Sequence, residues 1–192
     1  LTPTALSNVQ SVWNESLKIK NLNLSTRDYT NIAAHLAIKI PNSADQIIET
    51  QLLKIKGPDN KARFQFIIPA LSSDQYIRDN FFSTLMKAEN RHTEPWVLSA
   101  LRYLHHPLRI DFSEGYLKRS LNVLEDIQIT GDIFFPGRWL NATFKYYQSD
   151  VAIATVNNFL TKNPDYNYQL KLKILQNSDQ MKRANKILKN TT

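Results

Sequence analysis

The stretch that decides the fold is residues 72–107, SSDQYIRDNFFSTLMKAENRHTEPWVLSALRYLHHP. Ser72-x-x-Gln75 reads as a capping box, in which side chains at the first and fourth positions satisfy each other's free backbone N–H groups. The helix it opens carries Ile77, Phe81, Phe82 and Leu85 on one face. Thr93-Glu94-Pro95 reads as a second start, with Thr as cap and Pro in the first turn, where its missing N–H costs nothing. Trp96, Val97, Leu98, Ala100, Leu101 and Leu104 follow at helical spacing, and the helix stops before Pro107. Two amphipathic helices joined by a short turn are therefore the local unit.

Working outward, the same unit recurs. Towards the N-terminus, Leu6, Val9, Val12, Trp13 and Leu17 fall on one helical face. Ser25-Thr26-Arg27-Asp28 opens a helix that Pro41 stops, and Ser43-x-x-Gln46 opens another ending at Gly57-Pro58. A helix over 59–68 is expected to end at Pro69. Towards the C-terminus, Ser113 reads as the cap of a helix placing Leu117, Leu121, Leu124 and Ile127 on one face, broken at Thr130-Gly131-Asp132. Pro136 enters a helix through Tyr147, and Ser149-Asp150 starts one ending near Asn163-Pro164. Two last helices are expected over 166–176 and 179–188, parted by Asn177-Ser178. Short connections force neighbouring helices to run roughly antiparallel, and two helices with their turns span about 35 residues, the length of a solenoid unit. The expected fold is all-α: one domain over residues 1–192, an irregular HEAT- or armadillo-like α-solenoid of about eleven short antiparallel helices, with a concave face.

Composition narrows the function classes. The 192 residues include no cysteine and four glycines, which excludes disulfide scaffolds, Cys-ligated zinc fingers and collagen-like chains. No apolar run approaches the ~18 residues of a membrane span. The chain begins with Leu rather than Met and reads as a processed or excised piece. The net charge of +7 is uneven: Lys171, Lys173, Lys182, Arg183, Lys186 and Lys189 face only Asp179, so this stretch holds +5. It reads as a solvated outer helix face, the other reading being an electrostatic footprint for nucleic acid.

Catalytic patterns are missing. His35, His92, His105 and His106 include no H-E-x-x-H and no i, i+4 pair, and adjacent side chains on a helix diverge by about 100°, which is unsuited to gripping one metal. No nucleophile elbow or phosphate-cradling Gly-rich loop occurs. Glu125-Asp126 reads as a solvated carboxylate pair. The triplets at Asn14, Asn23, Asn141 and Asn190 match glycosylation acceptors, as chance allows in an Asn-rich chain. Two segments are denser in Arg, aromatics, Pro and Gly than packing requires: 90–96, continuing to His105-His106-Pro107-Leu108-Arg109, and 130–139. Loops at one edge of a rigid scaffold concentrate binding residues. Arg91, Arg109 and Arg138 are therefore the candidate substrate-binding residues. Arg138 ranks first, since Gly137 permits close backbone approach and Trp139 offers a stacking face. The competing reading pairs Arg91 with Glu94 and Arg138 with Asp132.

The strings Arg63-Phe64-x-Phe66-Ile67-x-Pro69-Ala70-Leu71-Ser72, Arg78-Asp79-x-Phe81-Phe82, Asn90-Arg91-x-x-Glu94-Pro95-Trp96-Val97 and Tyr103-Leu104-His105-His106-Pro107-Leu108-Arg109 carry a resemblance. So do Ile127-Gln128-x-Thr130-Gly131-Asp132-Ile133-Phe134-Phe135-Pro136 and Pro164-x-Tyr166-Asn167. Together they resemble the C-terminal helical region of zinc aminopeptidases of the membrane alanyl aminopeptidase family, gluzincin metallopeptidases, and are most similar to bacterial members. The likeness runs from about Leu24 to Ala184. It implies a non-catalytic domain that closes an active-site chamber. Zinc, its ligands and the general base would lie in an upstream catalytic domain of the same polypeptide, which would be one partner, peptide substrates being the other. It implies no catalytic and no metal-binding residue here, no nucleic-acid partner and an extracytoplasmic bacterial location, with the cytoplasm left open. The alternative is a free-standing α-solenoid that binds a peptide or protein or, as a lesser reading, nucleic acid through the basic C-terminus.

Overall fold

The computed structural model describes residues 2–191. The chain is all-α. Among the described residues it forms twelve α-helices and three short 3-10 turns and contains no strand. It divides into two compact units, Leu1–Arg78 and Asp79–Thr192.

The first unit is built by α1 (Pro3–Trp13), α2 (Thr26–Lys39), α3 (Ala44–Lys54), α4 (Pro58–Leu71) and the start of α5 (Gln75–Thr84). Helix α2 starts at Ser25 as expected, and its start is a capping box that the sequence reading did not name. Ser25 Oγ accepts from the Asp28 N–H at 3.3 Å, and Asp28 Oδ2 accepts from the Ser25 N–H at 2.9 Å. The Ser25 hydroxyl also donates to Asp28 Oδ2 at 2.7 Å, and this bond first, then the one from the Ser25 N–H, holds the Asp28 carboxyl below its ordinary pKa. Ala33, Ala34 and Ala37 on α2 are buried, so small side chains let α3 and α4 pack closely against it. Polar groups in this core are matched in a relay. Trp13 Nε1 donates to Gln51 Oε1 at 2.7 Å, and Thr30 Oγ1 donates back to Thr26 O at 2.7 Å.

Three expectations fail here. Leu17 lies beyond α1 and is 40% exposed. Ser43 makes no capping bond, because a 3-10 turn over Pro41–Ser43 runs directly into α3. Pro69 sits inside α4 instead of ending it. Its ring forfeits one backbone bond, but burial of Ala70 and Leu71, both fully enclosed, keeps the last turn helical. A fourth fails at α5, where the box expected at Ser72-x-x-Gln75 gives way to a helix that starts at Gln75, two residues later: Asp74 Oδ1 accepts from the Tyr76 N–H at 2.8 Å, and Ser72 Oγ from the Asp74 N–H at 3.1 Å.

The second unit contains α6 (Glu94–Leu104), α7 (Ile110–Ser113), α8 (Tyr116–Asn122), α9 (Leu124–Thr130), α10 (Phe135–Phe144), α11 (Asp150–Lys162) and α12 (Tyr168–Thr191). Helix α10 is the hub and packs against α6, α8, α9 and α12. Its Trp139 is fully buried, and the indole Nε1 donates to Ser120 O at 3.3 Å. Leu117, Leu121, Leu124 and Ile127 are all fully buried, as their spacing predicts. Their helix is interrupted at Val123, giving α8 and α9. Ser149 caps α11 as expected, accepting from the Ala152 N–H at 2.9 Å. Thr93 makes no side-chain cap, although α6 starts at the expected place.

The largest departure is α12. The sequence predicts separate helices over 166–176 and 179–188, but one helix runs through Asn177 and Ser178. Asn177 Nδ2 donates to Lys173 O at 2.8 Å, and Ser178 Oγ donates to Leu175 O at 3.1 Å. Polar side chains that signal a break can instead bond back onto the preceding turn. Leu170, Ile174, Ser178 and Met181 form the buried stripe.

Candidate functional site

The two segments rich in Arg and aromatics meet. Arg91 follows a 3-10 turn (Ala88–Asn90) between α5 and α6 and is 3% exposed. Its Nη1 donates to Leu85 O at 2.8 Å and its Nη2 to Thr130 Oγ1 at 3.3 Å, while Nη2 also forms an ion pair with the Asp126 carboxylate. Glu94, the sequence-expected partner of Arg91, accepts from the Asp132 N–H at 2.6 Å through Oε1. Gly131 lies between them. A Cβ there would meet Phe135 Cδ1 at 2.6 Å, Ile127 O at 2.9 Å and Glu94 Oε1 at 3.1 Å. The meeting of these loops is thus a closed clasp. Both Nη atoms of Arg91 are engaged inside the protein, while its Nε is buried without a partner.

Arg109 closes a 3-10 turn (Pro107–Arg109) and is 7% exposed. Its carbonyl accepts from Ser113 Oγ at 2.9 Å. Ser113, expected as a helix cap, is buried at the end of α7 instead. The Ser113 and Tyr147 hydroxyls lie 2.8 Å apart, and Tyr147 Oη lies 2.6 Å from His105 Nδ1. Since the Ser113 proton is committed to Arg109 O, Tyr147 donates to Ser113, and His105 must donate from Nδ1 to Tyr147. The imidazole is therefore the neutral Nδ1–H tautomer, which agrees with an Nε2 that has no partner. Burial pushes the His105 pKa down to about 3 and raises that of Tyr147. Ser, Tyr and His stand in a row, but His105 is fully buried and the other two nearly so. The row orders the core, with no access for a substrate.

Sequence reasoning missed this row, since Tyr147 is 34 residues from Ser113 and 42 from His105 and lies in no motif. The neighbouring His106 turns the other way, and its Nδ1 accepts from the Leu108 N–H at 3.2 Å. Among the described residues no group of three His, Cys, Asp or Glu is placed to hold a metal ion.

Arg138 alone of the three candidates lies outside the core. Its guanidinium carbon lies 5.5 Å from the centroid of the Phe134 ring, and among the described residues no ion pair engages it. The stacking partner is thus Phe134, 62% exposed, and the expected Trp139 is buried. Asp132, the other expected partner, turns its Oδ1 to the Phe134 N–H at 2.6 Å. A Cβ placed on Gly137 would meet no atom within 4 Å, so close backbone approach is not the role of this glycine.

The basic tail is partly engaged. Lys173 donates to Ile133 O at 3.1 Å, Arg183 pairs with Asp179 at 2.7 Å, and Lys189 pairs with Asp150 at 2.5 Å. These contacts spread the charge along one helix. No helix among the described residues is long and apolar enough to cross a membrane. Comparison with protein-family models, with curated proteins and with solved structures returned no match.

Proposed function

We propose that this chain is the non-catalytic C-terminal helical region of a zinc-dependent aminopeptidase, closing the chamber over an upstream catalytic domain and positioning the C-terminal part of a peptide substrate. The observation that carries the reading is Arg138: a guanidinium at the surface beside an exposed ring, with no acidic partner among the described residues. A guanidinium fork is suited to a free carboxylate, which it binds bidentately. The resemblance of residues 63–136 supplies the family, and the all-helical architecture is compatible with a chamber wall. Binding energy gathered at such a remote contact can be used to lower the barrier at a distant reacting centre.

Two measurements test this. The parent reading frame is expected to encode H-E-x-x-H upstream of Leu1, and a frame without it removes the proposal. In the parent enzyme, Arg138→Ala should cost short peptides about 1.5–3 kcal/mol in kcat/KM, the scale of a lost charged hydrogen bond. Amino-acid amides, which lack the carboxylate, should be nearly unaffected. Equal losses on both substrates would make Arg138 a structural residue.

A further inference from the structure

The connection between α1 and α2 carries a strand pattern inside a helical protein. Over residues 17–24, Leu17, Ile19, Leu22 and Leu24 alternate with Lys18, Lys20, Asn21 and Asn23 in two short arms. A tight turn joins them, in which the Leu22 N–H donates to Ile19 O at 3.1 Å. Asn21 has φ 64°, and Lys20 is not in the positive-φ region. Positive φ at the third turn position alone marks a type II turn. That turn type splays its flanking strands, whereas hairpins need type I′ or II′. The arms accordingly do not pair: among the described residues the N–H groups of Lys18, Ile19, Asn23 and Leu24 donate no hydrogen bond.

The arms are nonetheless held in place. Leu17 N–H donates to Ser11 O at 2.9 Å, Glu15 has φ 67° and pairs with Lys54 at 3.7 Å, and Leu24 leads into the Ser25 capping box. Both arms, together with Val12, Glu15 and Tyr29, line a cavity of about 450 Å³. Leu17, Ile19 and Leu22 are 40%, 52% and 48% exposed. No ion pair engages Lys18 or Lys20 among the described residues.

We propose that this cleft binds an extended peptide segment of a partner protein, added as a strand between the splayed arms, with apolar side chains alternating with carboxylates. Free backbone donors and acceptors on an alternating segment are the recognition surface for strand addition, and the side-chain alternation sets specificity. Lys18 lines the cleft with Lys20 beside it at the turn, and the one acid of the lining, Glu15, is paired with Lys54, so the excess charge is positive and sets the sign of the partner's charge. This inference is independent of the proposed peptidase role.

The test uses the 192-residue chain and an acetylated, amidated Val-Glu-Val-Glu-Val peptide. Saturable binding is expected, with amide exchange slowed by about tenfold or more at one of Lys18 and Ile19 and at one of Asn23 and Leu24, since neighbouring N–H groups of an extended arm point opposite ways. A peptide N-methylated at alternate amides, which cannot complete the ladder, should bind about tenfold more weakly or worse. The double substitution Lys18→Glu, Lys20→Glu should exchange preference to a Val-Lys-Val-Lys-Val peptide while leaving the circular dichroism unchanged. No saturation up to ~1 mM, equal binding of the methylated peptide, or protection confined to other residues would overturn the proposal. Concentration-dependent protection of the arms without peptide would overturn it too, assigning them to a second copy of the chain.

Discussion

His105 and Tyr147 lie side by side in the core, imidazole Nδ1 2.6 Å from the phenol oxygen, with the ring planes at 81°. The contact fixes the neutral tautomer and makes stability depend on pH. The folded-state pKa of His105, about 3, lies below its ordinary 6.5. The unfolded chain therefore binds this proton more readily. The stability from His105 is fully present above pH ~6.5 and is lost as the pH falls towards ~3, at up to ~1.4 kcal/mol per pH unit. Denaturant titrations should show this slope in the wild type and a flatter one in His105→Gln. Equal slopes over that window would mean that the imidazole is charged when folded.

Breaking the Arg91 clasp should be costly. Arg91→Ala removes a buried guanidinium from Leu85 O, Thr130 and the half-exposed Asp126, and a loss of about 1.5–3 kcal/mol is expected on the scale of lost charged hydrogen bonds. Arg183→Ala, which breaks an exposed i, i+4 pair, should lose about 0.5 kcal/mol or less. Thermal unfolding of the two variants separates the cases. A small loss for Arg91→Ala would mean that the clasp contributes little to the fold.

Much of the fold is legible in the sequence because its cues are local. The helix starts at Ser25 and Ser149 and the 117/121/124/127 stripe each lie within a few turns, and each forms as its spacing predicts. The departures occur where a local cue meets a stronger tertiary one. Burial of Ala70 and Leu71 overrules Pro69, and packing of the helix through Ser178 overrules Asn177-Ser178. Arginine roles are the least legible. Arg91 finds Asp126 across 35 residues, a partner no sequence pattern indicates, while the nearer Glu94 is drawn to a backbone N–H. Arg138 does lie beside an aromatic, but that aromatic is Phe134 rather than Trp139.

The four glycines are not equivalent, and two of them form a matched test. Gly131 has extended backbone (φ −109°, ψ 178°), so any cost of a side chain there comes from space alone. Its Cβ would press on Ile127 O, a backbone atom that cannot move aside cheaply. Gly131→Ala should destabilise by about 1–3 kcal/mol, the range for overpacking. Gly137→Ala, in open space on α10, should stabilise by up to ~1 kcal/mol through helix propensity. Opposite signs in two equilibrium unfolding curves would establish the clasp, and matching signs would remove it.

Continuity of α12 can be tested at Ser178. The helix beyond this point is tied down by Met181, by Asn185 Nδ2 donating to Gln148 O at 2.9 Å, and by Lys189 with Asp150 at 2.5 Å. The Lys189 and Asn185 contacts hold the Asp150 carboxyl below its ordinary pKa. Ser178→Pro would remove a backbone donor and clash with the carbonyl of the preceding turn, costing about 3 kcal/mol. With Ser178 at the centre of the buried stripe, amide exchange over residues 179–188 should rise sharply, and the Asp150 pKa should move back towards its ordinary value as its partners leave. Two separate helices hinged at Asn177-Ser178 would tolerate the proline, leaving both exchange and the Asp150 titration unchanged.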